Sequence, residues 1–349
     1  MAGKSIGVGV IGTGMGGTMF PLNREESSPF EVRSVCSARE SRAKAAAQEW
    51  GIAHWTTDYQ ELIRRPDIDV VGVYSPDHLH AEHVIAALEA GKHVVCTKPM
   101  VTSVEDAERI VKLVDRTGVK FLVGQTMRFE PEFTAAKSQL DSGLLGDLIL
   151  VEGHYVHDMR QVFPFTPWRR DVPQDLMYGG VSHPVDILRW FLGDVEEVHA
   201  YGNRGGLTPQ LKIKSNFVLN VKFVNGVIGR VLGVYDIVHP PMPMMGISLW
   251  GTKATLIADY TDRKGGHINV VYDGFEGQPT GTFPFSAETL GAYGHGETVM
   301  RYMRHFHDCL ENDRDPTPGV RDGAKSVATC AAAWESVETG EVVKVRNKF

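Results

Sequence analysis

A chain that runs Ile6-Gly7-Val8-Gly9-Val10-Ile11 straight into Gly12-Thr13-Gly14-Met15-Gly16-Gly17 has few folds open to it. The apolar run reads as a buried strand. Gly12, Gly14 and Gly17 complete a G-x-G-x-x-G pattern behind it. Between a strand and a helix, that pattern marks a dinucleotide-binding turn. The first glycine permits the tight turn, the second lets backbone approach a diphosphate, and the third lets helix and strand pack closely. The diphosphate is expected on the amides and positive dipole of the following helix. Gly12, Thr13, Gly14, Met15 and Gly17 are then the expected contacts.

The pattern repeats in kind. Strands are expected at 31–36, 70–74, 94–96 and 120–123, and helices at 43–50, 82–90 and 103–117. Apolar strands alternating with helices imply a parallel sheet covered on both faces. An acidic residue on the ribose 2′-hydroxyl usually follows about 20 residues beyond the last glycine. That count from Gly17 lands on Ser37, in the run Ser37-Ala38-Arg39-Glu40-Ser41-Arg42. Serine with Arg39 and Arg42 nearby suits a 2′-phosphate, which a carboxylate would repel. The cofactor reading is therefore NAD(P), leaning toward NADP. The alternative, solvated arginines on the next helix, stays open.

At the ends of the later strands, Ser75 and Pro76 are expected to line the nicotinamide side, with His78 and His80 beside them. His78, His80 and His83 lack the cysteine or carboxylate that would complete a metal site, so they are expected at a helix start and on the surface, with no metal. Gly91-Lys92-His93-Val94-Val95-Cys96-Thr97-Lys98-Pro99-Met100 carries the other chemical signal. Its strand ends at Thr97 and Lys98, and Pro99 pushes Lys98 out of the helical region. A lysine at the carboxyl end of a parallel strand sits where open α/β sheets bind ligands. Lys98 is the candidate acid/base.

Bulk properties exclude several classes. A net charge of −7 argues against nucleic acid or an anionic membrane as the main partner. The four cysteines are dispersed with no C-x-x-C pair, which suggests reduced thiols in a cytoplasmic protein. No apolar run reaches transmembrane length, and the entry of the first strand directly into the glycine turn leaves no signal peptide to expect.

Taken together, Gly12-x-Gly14-x-x-Gly17, Ser75-Pro76-Asp77-His78-Leu79-His80, Ala90-Gly91-Lys92-His93-Val94 and Lys98-Pro99 resemble the glucose–fructose oxidoreductase / inositol dehydrogenase (Gfo/Idh/MocA) family. The stretch from Gly124 through Arg128-Phe129 to Pro131, and the ending Glu335 to Gly340, are also similar to it. The resemblance implies an α/β chain. Residues 1–124 would form a Rossmann dinucleotide-binding domain. Residues 125–349 would form a substrate-binding and oligomerisation domain with a large, mostly antiparallel open sheet. It implies hydride transfer between a nicotinamide cofactor and a hydroxyl or carbonyl carbon of a sugar, cyclitol or glycoside. Lys98 matches the lysine of the family's E-K-P motif, but Thr97 stands in place of the glutamate.

In the second domain, 148–157 reads as a strand in which Tyr155 and His157 share a face. The irregular stretch after it offers Trp168 and Arg169 for sugar stacking and hydroxyl bonding. Further on, 182–192 reads as a helix with Ser182 as N-cap, Pro184 in its first turn and Gly193 as its stop. His183 and Asp186 match the last two members of the family's D-x-x-x-H-x-x-D, while Gly179 replaces the first Asp. Lys98, His183 and Asp186 form the expected relay. Arg128, Tyr155, His157, Trp168, Arg169 and His183 join Lys98 as expected substrate contacts. Asn225-Gly226 signals a hairpin. A sheet face left uncovered predicts a homodimer or homotetramer. The absent acid at Gly179 leaves a second reading open, a redox-neutral lyase or isomerase with tightly held NAD. A non-catalytic dinucleotide-binding regulator is the third.

Overall fold

The described residues of the computed structural model are 5–164, 169, 172, 175–209, 211–240, 242–261, 265–272, 282–283 and 296–349. They form two units. The first holds residues up to Thr126 and takes back a later segment ending at Ala324. The second holds Met127 onward and most of the C-terminal residues from Lys325. The expected cut after residue 124 falls beside the Thr126/Met127 division. A single cut nevertheless does not describe the chain, because the later segment packs with the first unit.

The first unit runs β1 (Ile6–Ile11), β2 (Phe30–Cys36), α1 (Glu40–Trp50), β3 (His54–Thr56), α2 (Tyr59–Arg64), β4 (Val70–Val73), α3 (His80–Glu89), β5 (His93–Thr97), α4 (Val104–Thr117) and β6 (Phe121–Gly124). Its six strands are all parallel, in the order β3-β2-β1-β4-β5-β6. The order reverses between β1 and β4, and ligands of such sheets bind at the carboxyl ends of the strands beside that switch. Strands β4 and β6 are buried at every position, as apolar runs in a doubly covered sheet must be. Ser103 caps α4 by accepting from the Asp106 amide at 3.1 Å, and Gly118 ends it with φ of 67°.

The second unit runs α5 (Pro131–Asp141), β7 (Leu148–Val156), α6 (Ser182–Leu192), β8 (Val195–Asn203), β9 (Asn216–Phe223), β10 (Ile228–Val234), β11 (Met245–Gly251), β12 (Ala254–Thr261), β13 (Gly265–Tyr272) and β14 (Thr282–Phe283). Helix α7 (Gly296–Glu311) belongs to the first unit, α8 (Val320–Thr339) begins there and continues into the second, and β15 (Val343–Lys344) completes the second. The nine-stranded sheet has the order β14-β13-β12-β11-β7-β10-β9-β8-β15, with only β7 and β10 parallel. Gly226 takes φ of +90° in the β9–β10 hairpin, which Asn225-Gly226 predicted.

Alternation along β9 divides this sheet into two faces. Phe217, Leu219, Val221 and Phe223 are buried, while Val218 and Asn220 are exposed. On the buried face Gly153 of β7 lies under α6, where a Cβ would come 3.2 Å from both Leu188 and Pro184. The other face carries Tyr201, Val218, Ile228, Ile257 and Val271, all exposed. Among the described residues, no helix is long and apolar enough to cross a membrane.

Helix α7 is fastened to the first unit at several points. The Tyr302 and Tyr74 hydroxyls form a buried hydrogen bond. His307 sets its ring edge-on to Phe30, with centroids 5.8 Å apart, and Arg304 reaches Glu25 at 2.6 Å. Beyond the helix, the Val123 amide donates to the Pro318 carbonyl at 2.9 Å.

Candidate active site

In the first unit the glycine turn joins β1 to the tip of β4. Gly12 has φ of +104°, and a Cβ there would lie 2.4 Å from the Tyr74 carbonyl oxygen. No other residue fits. A Cβ on Gly14 would meet nothing within 4 Å, so this side of the turn is open to an approaching diphosphate. The close-packing role expected of Gly17 falls instead to Gly16. A Cβ on Gly16 would come 2.8 Å from Val10, whereas on Gly17 it would find only the Phe20 ring at 3.8 Å. A second difference follows the turn. Met15–Asn23 is a 3-10 helix containing Pro21, not the expected α-helix. Proline has no N–H to continue an α-helical ladder.

Ser37 stands directly after β2, and the Thr13 hydroxyl reaches its Oγ at 3.4 Å, so glycine turn and strand tip meet here. Arg39 and Arg42 open α1, both exposed. Among the described residues, neither guanidinium has a hydrogen-bond or ion-pair partner. No carboxylate occupies the Ser37 position.

Next along the sheet, Ser75 and Pro76 follow β4, Thr97 ends β5 and Lys98 comes directly after it, with a cis peptide joining Lys98 to Pro99. Register pairs β4 with β1 on one side and β5 on the other, which brings Gly12, Ser75 and Lys98 to the same edge of one sheet. The histidines correct the sequence reading. His78 is exposed, but His80 is completely buried and His83 nearly so. His80 holds the Pro99 carbonyl through Nδ1 at 2.7 Å and the Ser75 carbonyl through Nε2 at 2.8 Å. With no exposed surface and both nitrogens engaged, it is not a cofactor contact. His83 Nδ1 bonds the Ser75 hydroxyl at 2.8 Å, and burial pushes its pKa down to about 4. The surface placement expected for His80 and His83 is thus corrected, while His80 does stand at a helix start. Their nitrogens instead bind the strand-end loops.

In the second unit α6 starts differently from the expectation. A π-helical turn, Met177–Val181, leads into it without a break, so Ser182 is inside the helix rather than its N-cap. Asp175 does the capping, accepting from the Met177 amide at 2.9 Å. Trp334 Nε1 donates to the same carboxylate at 2.9 Å. Gly180, inside the π turn, faces the Tyr235 ring, whose hydroxyl lies 2.3 Å from where a Cβ would be.

Behind that turn His183 is buried, and the Tyr155 ring meets it edge-on with centroids 5.4 Å apart. Tyr155 also sets edges against Tyr235 at 5.3 Å and His157 at 6.0 Å. Tyr155, His157 and His183 therefore form one cluster, as expected. Tyr235 is the member that the sequence did not single out. It is buried and, among the described residues, its hydroxyl has no hydrogen-bond partner. Burial raises its pKa well above the ordinary tyrosine value.

Asp186 and Arg128 are placed otherwise than expected. Arg128 Nε and an Nη bind the two Asp186 oxygens at 2.7 and 2.8 Å, and Ser326 adds a third bond at 3.0 Å. Asp186 is 1% exposed and Arg128 6%. A buried bidentate pair ties the two charges to each other rather than to a relay or a substrate. The pair fixes α6 instead. Arg189 extends it, donating to Ser326 and to Asp194 at 3.0 Å each. Arg169 is half-buried, and Trp168 lies outside the described residues.

The chain is similar to known proteins over nearly its whole length. Residues 6–125 match the GFO/IDH/MocA oxidoreductase family's NAD-binding Rossmann fold, and residues 137–345 match its C-terminal alpha/beta domain. Inositol 2-dehydrogenase 2 of Saccharopolyspora erythraea is 35% identical over 98% of this chain and 96% of its own length. Levoglucosan dehydrogenase of Pseudarthrobacter phenanthrenivorans is 26% identical over 92% of this chain and 93% of its own. A solved levoglucosan dehydrogenase in complex with NADH superimposes with a TM-score of 0.85 over 99% of this chain and 100% of that one, at 24% identity. The chain belongs to the GFO/IDH/MocA oxidoreductase family and is a nicotinamide-dependent oxidoreductase.

Proposed function

We propose that the protein moves a hydride between a nicotinamide dinucleotide and the hydroxyl or carbonyl carbon of a sugar, cyclitol or glycoside, with Lys98 as acid/base. The carrying observation is Lys98 at the carboxyl end of β5, in the sheet whose β1 carries the open Gly12–Gly14 turn. The nicotinamide, when bound, accepts or supplies the hydride. In the oxidising direction Lys98 takes the hydroxyl proton while the C–H pair leaves the carbon, and His183 assists. Tyr155, His157 and Arg169 are assigned to the substrate. The relatives named above are dehydrogenases, which favours net transfer over an internal redox cycle or a regulator without chemistry.

The finer assignments rest on particular residues. Arg39 and Arg42 are exposed beside Ser37 with no carboxylate at that position, which supports NADP. The open face of the nine-stranded sheet, where Val218, Ile228, Ile257 and Val271 stand exposed around the Glu152–Arg230 ion pair, supports a homodimer or homotetramer. Four free, buried cysteines support a cytoplasmic location.

A panel of sugars, cyclitols and glycosides that includes scyllo-inositol and levoglucosan, read by nicotinamide absorbance with NAD and with NADP, tests the reading. At least one is expected to turn over with a stoichiometric absorbance change. Lys98→Ala and His183→Ala are each expected to lose about 10²- to 10⁴-fold in kcat while cofactor binding survives. Wild-type rates in both would sink the assignment, and a clear preference for NAD would overturn the roles given to Arg39 and Arg42.

A further inference from the structure

His80 opens α3, one 3-10 turn after Ser75 and Pro76. Its ring is fully buried between two strand-end loops. Nδ1 lies 2.7 Å from the Pro99 carbonyl oxygen and Nε2 lies 2.8 Å from the Ser75 carbonyl oxygen. A carbonyl oxygen can only accept. Neutral imidazole carries one N–H, so one of these contacts would set lone pair against lone pair. Both are hydrogen bonds only when both nitrogens carry protons.

We propose that His80 is held as an imidazolium that straps the loop after β4 to the loop after β5, and so acts as the positioning residue for Lys98. The inference rests on the reading of Lys98 as the acid/base. Its Pro99 contact is one residue from Lys98, and its Ser75 contact is in the loop beside the glycine turn. Charge-assisted bonds to two carbonyls are stronger than neutral ones and offset part of the cost of burying the cation.

The neighbours leave the charge to His80. Cys96 Sγ is 3.9 Å from Nδ1, and burial drives that thiol's pKa far upward, so it stays protonated. His83, three residues along α3, is kept neutral by its burial and gives its Nδ1 to the Ser75 hydroxyl. Asp77 and Glu82 act on Cys96 and His83 respectively, across the turn and along the helix. His78 is exposed. Among the described residues, no carboxylate is hydrogen-bonded to the His80 ring.

Two measurements test the strap. Selective ¹⁵N-histidine labelling of the whole chain with NADH bound reports the ring directly, and His80→Asn assigns its signals. Both His80 nitrogens are expected to show protonated, imidazolium-type shifts at pH 7.5. A neutral tautomer would overturn the proposal without any need for a substrate. The second measurement is kinetic, with the panel compound of highest turnover. His80→Asn is expected to lose at least about tenfold in kcat, with KM and NADH affinity within about threefold, because a misplaced acid/base slows the chemical step more than binding. A kcat within twofold of wild type would also overturn it. Lys98→Ala separates the two failures. Should it keep its turnover, the Lys98 reading fails, while the ¹⁵N shifts still report the charge on His80.

Discussion

A methyl group added at Gly12 would sit 2.4 Å from the Tyr74 carbonyl oxygen on a backbone at φ +104°, whereas at Gly17 it would meet only the Phe20 ring at 3.8 Å. Gly12→Ala is therefore expected to lower stability by about 1–3 kcal/mol or more, read from the urea midpoint, and Gly17→Ala by less than about 0.5 kcal/mol. Gly14→Ala is expected to leave the midpoint in place and weaken dinucleotide binding, measured by NADH fluorescence. The pattern of three glycines was legible in the sequence. Which of them packs was not, because Gly16 meets Val10 and Tyr74 only once the strands are paired. Arg128 and Asp186 teach the same lesson at longer range. They are 58 residues apart, so no helical spacing could link them, and each looked like a site residue by itself. Arg128→Ala would leave a buried carboxylate without its guanidinium and is expected to cost about 3–5 kcal/mol. The double variant Arg128→Leu, Asp186→Leu is expected to recover most of that loss. Equal instability in the double variant would show that the pair matters as packing rather than as charge.

Elements with strong periodicity or complete signals were readable: the glycine-ended helices, the parallel strands and the Asn225-Gly226 hairpin. Short ones were not, since β3 has three residues and α2 six. The start of α6 was misplaced because Ser182 offers a capping hydroxyl in sequence, while Asp175 reaches the actual helix end. Asp175→Ala removes both that cap and the Trp334 bond, and is expected to cost at least about 1 kcal/mol, seen as a lower melting temperature. Helix α3 sets a pH dependence through His83, whose folded pKa of about 4 lies below the ordinary histidine value. Between pH 6.5 and 4 the unfolded chain binds the proton more readily than the folded one, so this contribution is present above about pH 6.5 and lost as pH falls. Burial lowers His93, His154 and His305 in the same direction. His83→Gln is therefore expected to flatten, but not abolish, the fall in urea midpoint between pH 7.5 and 5. An unchanged slope would count against His83 as a contributor.

At the scale of the molecule, the open sheet face carries Tyr201 opposite Val218 on β8 and β9, with Ile257 and Val271 toward the other edge. Light scattering is expected to show a dimer or a tetramer for the native chain. Val218→Lys with Ile257→Lys is expected to give a folded monomer, since both side chains already face outward. A native monomer would reject the homo-oligomer. The other large-scale feature is the return of α7 to the first unit, where it pairs Tyr302 with Tyr74 and His307 with Phe30. Translation proceeds from one end, so the ribosome makes all six strands of the first sheet long before it reaches residue 296. Until then the Tyr74 hydroxyl and the Phe30 ring lack their partners. A nascent chain halted near residue 126 should thus remain protease-sensitive, and gain protection only when 296–324 is supplied, even on a separate peptide. The unit encoded first is among the last to be finished.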